Sequence, residues 1–169
     1  MTEIYEHFAA SKDCASVFGC RFTTRSLEET LEEISRMASD ASARPPAICA
    51  FINADCLNQY YTNPEYARLL RQADLVMPDG IGVDIAARRM GTPVRANLNG
   101  TDMLPYFCRM PYSLYLLGAA PGVAEKAKAN LEKEFPGVRI VGADHGYFAD
   151  ARAERDAIER VNRANPDIL

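Results

Sequence analysis

The stretch ADLVMPDGIGVDIAARRMG, residues 73–91, sets a single carboxylate, Asp79, between Pro78 and the glycines Gly80 and Gly82. The apolar run Leu75-Val76-Met77 before it has strand character, and Ile81 to Met90 after it reads as a helix. The Asp79 carboxylate would sit at the open edge of a sheet, near the N-terminus of the helix that begins at Ile81. The helix N-terminus beside it favours an anion, including a phosphate brought by a ligand. The plainer alternative is a helix cap, since Asp-Gly turns are common without any function.

Three other segments pose the same choice. Asn99-Gly100-Thr101-Asp102 is either a ligand-facing loop or an Asx-type turn that starts a helix. Gly118-Ala119-Ala120-Pro121-Gly122 joins a strand to a helix and can present amides to a diphosphate, but it does not fit GxGxxG and is otherwise a tight turn. Asp144-His145-Gly146-Tyr147-Phe148 follows another strand. His145 there can act as acid, base or hydrogen-bond donor to phosphate, or simply be bonded within its loop.

The elements that must position these segments alternate between strand and helix. Val17 to Phe22 reads as a first strand, weakened by Gly19. Ser26 to Glu29 is a capping box that starts a helix with Leu27, Leu31 and Ile34 on its buried face and Glu28, Glu32 and Arg36 in water. Arg44-Pro45-Pro46 breaks the chain, and Ala47 to Ile52 is a compact strand ending at Asn53. Asn63 and Pro64 cap the next helix, whose buried side is read as Tyr66, Leu69, Leu70 and Ala73. Leu75–Met77 and Ile81–Met90 follow, then Gly91-Thr92-Pro93 and a short helix after Gly100-Thr101-Asp102. Ser113–Leu117 is a strand, Val123–Phe135 a helix, Val138–Val141 a strand and Ala151–Ala164 a charged helix; Asp167-Ile168-Leu169 opens another strand.

Continuous apolar strands alternating with helices predict an α/β, Rossmann-like fold, a mostly parallel sheet with helices on both faces. Such sheets bind ligands beyond their strand C-termini. Asn53, Asp79, Gly118 and Asp144 all stand at those ends and are expected to converge on one edge.

At 169 residues, 48% hydrophobic and 25% charged, the chain has ordinary globular composition and length for one domain. A net charge of −4 gives no electrostatic reason to expect nucleic acid. Five cysteines without a CxxC pair and two histidines, His7 and His145, do not support a metal site. The cysteines read as small, reduced, buried hydrophobes of a cytoplasmic protein. MTEIYEHFAASKD lacks a secretory signal, and no apolar run nears a membrane span. Asp84 and Arg88 read as an exposed helix pair, and the charges from Asp150 to Arg163 as a solvated face.

Taken in order, the motifs resemble one family closely: the WecG/TagA/CpsF glycosyltransferases, glycosyltransferase family 26. The resemblance runs from about Val17 through FINAD (51–55), Asn63-Pro64-Glu65, ADLVMPDGIGV (73–83), NGTD (99–102), LYLLGAAPGVAEKA and IVGADHGYF. It implies transfer of an N-acetylhexosamine, typically N-acetylmannosamine from its UDP donor, onto an undecaprenyl-diphosphate-linked sugar with inversion. It implies no metal and no cofactor, and products feeding teichoic acid, common antigen or capsule synthesis. Asp79 takes the place of the family's proposed base. Asn53, Gly80, Gly82, Asn99, Gly100, Thr101, Asp102, Gly118, Gly122, His145 and Tyr147 are the expected substrate contacts. Two features depart from the pattern. Phe51 stands where family members usually carry Thr, and the family's later "GxPKQE"-like strand and basic membrane-engaging tail are absent. Residues 1–169 are therefore expected to be one glycosyltransferase domain, C-terminally incomplete. Its place is the cytoplasm, with peripheral membrane contact only through residues outside the chain or a partner, and a homo-oligomer is left open.

Two other readings compete. A nicotinamide-dependent oxidoreductase shares this kind of sheet but lacks GxGxxG and a well-placed acidic residue after the first strand. A non-catalytic remnant that binds a nucleotide or a partner is the other.

Overall fold

The computed structural model describes residues 13–40 and 45–169. His7, Arg44 and the N-terminal stretch read for a signal lie outside the described residues. Among the described residues six strands and seven helices form two compact units, one through Asp102 and one from Met103 to Leu169.

The first unit opens with a correction. Val17 to Phe22 is not one strand but the centre of a hairpin, β1 (Cys14–Val17) and β2 (Cys20–Thr23), paired antiparallel from Cys14↔Thr23 to Val17↔Cys20. Phe18 and Gly19 both have positive φ, 54° and 80°, as in the primed two-residue turns that match strand twist. An aromatic residue at such a turn gives no turn signal, so the apolar run reads straight through it. The Tyr60 hydroxyl donates to the Gly19 carbonyl at 3.1 Å and fixes the turn.

α1 (Leu27–Ser39) has the expected capping box: Ser26 Oγ accepts from the Glu29 amide at 3.3 Å, and Glu29 Oε2 from the Ser26 amide at 2.8 Å. Leu31 and Ile34 are buried. β3 (Cys49–Ile52) and β4 (Leu75–Pro78) pair in parallel, Cys49↔Leu75 to Ile52↔Pro78. Two helices cross between them. α2 (Ala54–Thr62) is one that sequence reasoning missed, and α3 (Pro64–Leu70) is capped by Asn63 Oδ1, which accepts from the Glu65 and Tyr66 amides. Of the face expected to be buried, Tyr66 and Leu70 pack half-buried against the core, whereas Leu69 is 52% exposed and Ala67 is the fully buried residue. α3 stops at Leu70, too short for a 66/69/70/73 stripe to run along it. α4 (Ile81–Arg89) follows β4, and Asp84 pairs with Arg88 at 2.8 Å as expected. The core gathers Val17, Phe22, Ile52, Leu57, Val83 and Ala87.

α5 (Gly100–Phe107) starts before the division and ends after it. In the second unit β5 (Ser113–Leu117) and β6 (Arg139–Asp144) pair in parallel around α6 (Val123–Glu134), and α7 (Ala151–Ala164) follows. Leu114, Phe135 and Ile140 form the core with Cys108. The expected last strand begins as read: Ile168 bridges Leu114 in parallel, and its carbonyl accepts the Tyr115 amide at 2.9 Å. Parallel pairs joined by helical crossovers make the chain α/β, as its alternation predicted.

All five cysteines are free thiols. Cys20 and Cys108 are buried, and burial pushes the Cys20 thiol up to about 12. Cys49 is a correction: it lies exposed, on the outward face of β3 where only Ile52 is fully buried. Among the described residues no helix is long and apolar enough to cross a membrane.

Candidate active site

β3 and β4 deliver Asn53 and Asp79 to the same end of their pair. The Asp79 amide donates to the Ile52 carbonyl at 2.7 Å, which extends the ladder one residue past β4. The chain then turns at Gly80, with φ 91° and ψ 157°, a conformation open to glycine but not to L side chains. Gly80 is the N-cap of α4, and no side chain caps that helix. The cap alternative for Asp79 therefore does not describe this site. The Asp79 carboxylate, half-buried, makes no hydrogen bond or ion pair with another described residue.

Asn53 does cap a helix: its Oδ1 accepts the Cys56 amide of α2 at 3.0 Å. α2 and α4 thus start side by side next to Asp79. A Cβ at Gly82 would lie 2.9 Å from Ala54 Cβ, so Gly82 is occupied by helix packing rather than left open for a ligand. A Cβ at Gly80, by contrast, would meet nothing within 4 Å.

The Asn99–Asp102 segment arrives along the same edge. The Leu98 amide donates to the Pro78 carbonyl at 2.8 Å, and Asn97 Oδ1 accepts the Gly80 amide at 2.5 Å. Asn99 Oδ1 accepts the Asp102 amide at 2.8 Å, while Asn99 Nδ2 donates to Asp102 Oδ2 at 2.6 Å. This reciprocal pair is a helix start for α5, the plainer of the two alternatives for these residues. Gly100 faces the Phe51 ring, 3.6 Å from a built Cβ, so the Phe that departs from the family pattern packs on this loop. Thr101 is exposed.

The second unit brings together Gly118, His145 and their loops. Gly118 follows β5, and its amide donates to the Asp144 carbonyl at 2.9 Å. The Gly146 amide donates to the Ala119 carbonyl at 3.0 Å, and a Cβ at Gly146 would come 3.0 Å from Gly118 Cα. Gly122 is the left-handed N-cap of α6, again without a side-chain cap. The His145 ring lies 5.7 Å from that of Phe148, and its buried Nδ1 has no hydrogen-bond partner. Tyr147 is 72% exposed.

The charged face of α7 is exposed as expected, and Arg160, itself 46% exposed, in addition holds Asp144 through Nη2 at 2.8 Å and Nε at 3.0 Å. The buried Tyr115 hydroxyl donates to the same carboxylate. These contacts hold the Asp144 carboxyl below the usual carboxylate range, with the Arg160 hydrogen bonds the largest cause. Sixteen and twenty-nine residues separate the partners, so no local pattern could signal them.

Among curated proteins, the chain is 29% identical over 111 residues to the N-acetylglucosaminyldiphosphoundecaprenol N-acetyl-beta-D-mannosaminyltransferase of Bacillus spizizenii, covering 63% of this chain and 42% of that protein. It is 24% identical over 157 residues to the enzyme of the same name from Staphylococcus aureus, covering 90% of this chain and 60% of that one. The chain therefore spans between two fifths and three fifths of the length of these relatives. The family pattern itself matches residues 15–169, from the first hairpin strand to the last residue, and on that match the chain belongs to the Glycosyl transferase WecG/TagA/CpsF family.

Proposed function

We propose that this chain carries the catalytic core of an inverting glycosyltransferase. It transfers N-acetylmannosamine from a UDP donor to an N-acetylglucosaminyl-diphosphoundecaprenol acceptor at the cytoplasmic face of a membrane. The names of the two relatives support the sugar and the acceptor, and the family supports the reaction class. The observation that carries the role of Asp79 is its unengaged carboxylate at the end of β4, beside a helix that it does not cap. A carboxylate spent on a cap or an ion pair would be a poor proton acceptor, whereas this one is available.

In the proposed step Asp79 takes the proton of the acceptor hydroxyl as that oxygen forms a bond to the anomeric carbon. The bond from that carbon to the diphosphate breaks on the opposite side, and its electron pair leaves with UDP. In the first unit a Cβ at Gly80 would meet nothing within 4 Å, and in the second unit the same holds at Gly118 and at Gly122, so each of these backbones is open to a sugar or diphosphate. Asn53, Gly82, Asn99, Gly100 and Asp102 serve the reaction by holding the helix starts around Asp79. Thr101, His145 and Tyr147 are the side chains that remain available for contact.

Calorimetric titration of UDP and of NADH, with transfer assayed on a short-chain lipid-linked acceptor, tests the reading. UDP binding with acceptor-dependent sugar transfer is expected. NADH binding without UDP binding would replace this reading by the oxidoreductase one, and UDP binding without transfer would leave the non-catalytic one.

A further inference from the structure

The Asp144 carboxylate is held from two elements at once. Arg160 of α7 reaches it with Nε and Nη2, at 3.0 and 2.8 Å, and Tyr115 of β5 donates its hydroxyl to the oxygen that Nε meets at 3.0 Å. The backbone is built to allow this. β6 carries an irregularity that moves the register from Leu114↔Ile140 to Tyr115↔Gly142, so Tyr115 stands opposite a residue with no side chain. Any Cβ at Gly142 would overlap the Tyr115 ring. The ring passes over that glycine, and its hydroxyl arrives at the end of the strand.

Asp144 is the last residue of β6, and the next residue is His145. The same Asp144 accepts the Gly118 amide through its carbonyl, and Gly146 closes back on Ala119. The end of β6 is therefore tied by a carboxylate with three donors as well as by these two backbone hydrogen bonds. The Arg160 side chain is 46% exposed, and pairs that exposed contribute little to global stability. A two-pronged guanidinium contact does fix geometry, because its donors lie in one rigid plane that an ammonium lacks.

We propose that Arg160 is a positioning residue: acting through Asp144, with Tyr115 as the second brace, it orders the segment from His145 to Phe148 and thereby the donor-binding loop of the second unit. The link to the donor rests on the function proposed above, while the ordering of the segment does not. Arg160 touches no reacting atom in this scheme. Its removal weakens donor binding by letting the loop open, and leaves the chemical step alone.

Three measurements on the 169-residue chain with Arg160→Gln, Asp144→Asn and the double variant test this. Amide hydrogen exchange resolved over residues 144–148 should accelerate by about 10-fold in each single variant, the scale of one lost charge-assisted contact. The donor KM should rise by about 10-fold with kcat within about 2-fold, since only binding geometry is lost. The double variant should be no worse than the worse single one, because both remove the same brace. Unchanged exchange over 144–148 in Arg160→Gln would overturn the proposal, as would additive losses in the double variant. A fall in kcat at constant KM would overturn it too, by moving Arg160 into the chemistry. Should Arg160→Gln not fold, Arg160→Lys keeps the charge without the planar fork and is expected to show the same faster exchange. If the unsubstituted chain binds no UDP, the donor assignment fails, and the exchange measurement alone decides whether Arg160 orders the loop.

Discussion

Gly82 and Ala54 meet at the start of two helices: a Cβ on Gly82 would stand 2.9 Å from the Ala54 Cβ. That closeness lets α2 and α4 begin side by side at the ends of β3 and β4, with Asp79 next to them. Gly82→Val must therefore push the two helices apart. Overpacking of this kind costs about 1–3 kcal/mol. A thermal melt should show clear destabilisation, and loss of UDP affinity would follow from it. A variant with unchanged melting temperature and abolished UDP binding would instead put ligand where the structure has helix packing.

Asp79 should behave in the opposite way. Its carboxylate bonds to no described residue and does not cap α4, so Asp79→Asn should fold and melt like the parent. If it is the general base, turnover should fall by ~10²–10⁴-fold with little change in UDP affinity. Transfer kinetics next to a melt separate the two roles. Near-parental turnover would remove Asp79 from the chemistry, and a large drop in stability would restore the structural role.

Asn99 offers a contrast, because it is engaged on both sides by Asp102. Asn99→Ala leaves the Asp102 amide in the first turn of α5 without its acceptor and should cost about 1 kcal/mol, the usual worth of such a cap. Denaturant unfolding would measure it. A loss of turnover well beyond that stability change would assign Asn99 a substrate contact as well.

These cases show what was legible in the sequence. Caps are written within four residues, so Ser26 with Glu29 and Asn63 with Pro64 could be read directly. The strands that end at Asn53, Asp79, Gly118 and Asp144 were legible from their apolar runs. What failed depended on contacts far along the chain or on turns without turn residues. Phe18 hid a hairpin inside an apolar run. α2 was hidden because Asn53 was read as the end of a strand and not also as the start of a helix. The Asp144–Arg160 contact was invisible because four arginines interleaved with acids look alike until one of them bends back across a strand end.

Acid should reveal that contact. Asp144 faces Arg160, Tyr115 and His145, and its carboxyl is held below the ordinary range chiefly by the Arg160 hydrogen bonds. A group whose folded-state pKa is depressed adds stability that is fully present above its unfolded value, about 4 for Asp, and disappears as pH falls through the folded value. Melting temperature should therefore drop as pH is lowered from about 5 toward 3. Because the Arg160 side chain is 46% exposed, the effect is small: Asp144→Asn should melt only slightly lower than the parent at pH 7 and converge with it in acid. Parallel curves at every pH would mean that the pair contributes nothing to folding.

Membrane contact is the last expectation. The proposed acceptor lies in a bilayer, and an anionic surface attracts each basic residue by about 1 kcal/mol. The chain carries −4 overall, so attraction would need a local cluster of free cations. α7 is the richest basic segment, but Asp150, Glu154, Asp156 and Glu159 are interleaved with Arg152, Arg155, Arg160 and Arg163. The structure weakens it further, because Arg160 is turned onto Asp144. Asp150 caps the N-terminal end of the helix through the Arg152 and Ala153 amides and sets an acidic side chain beside Arg152. Residues 1–169 should therefore sediment poorly with anionic liposomes at physiological salt, and lowering the salt should recruit little more. Strong, salt-sensitive binding would show that the arginines of α7 act together as a surface, and substitution of Arg152, Arg155 and Arg163 would then abolish it.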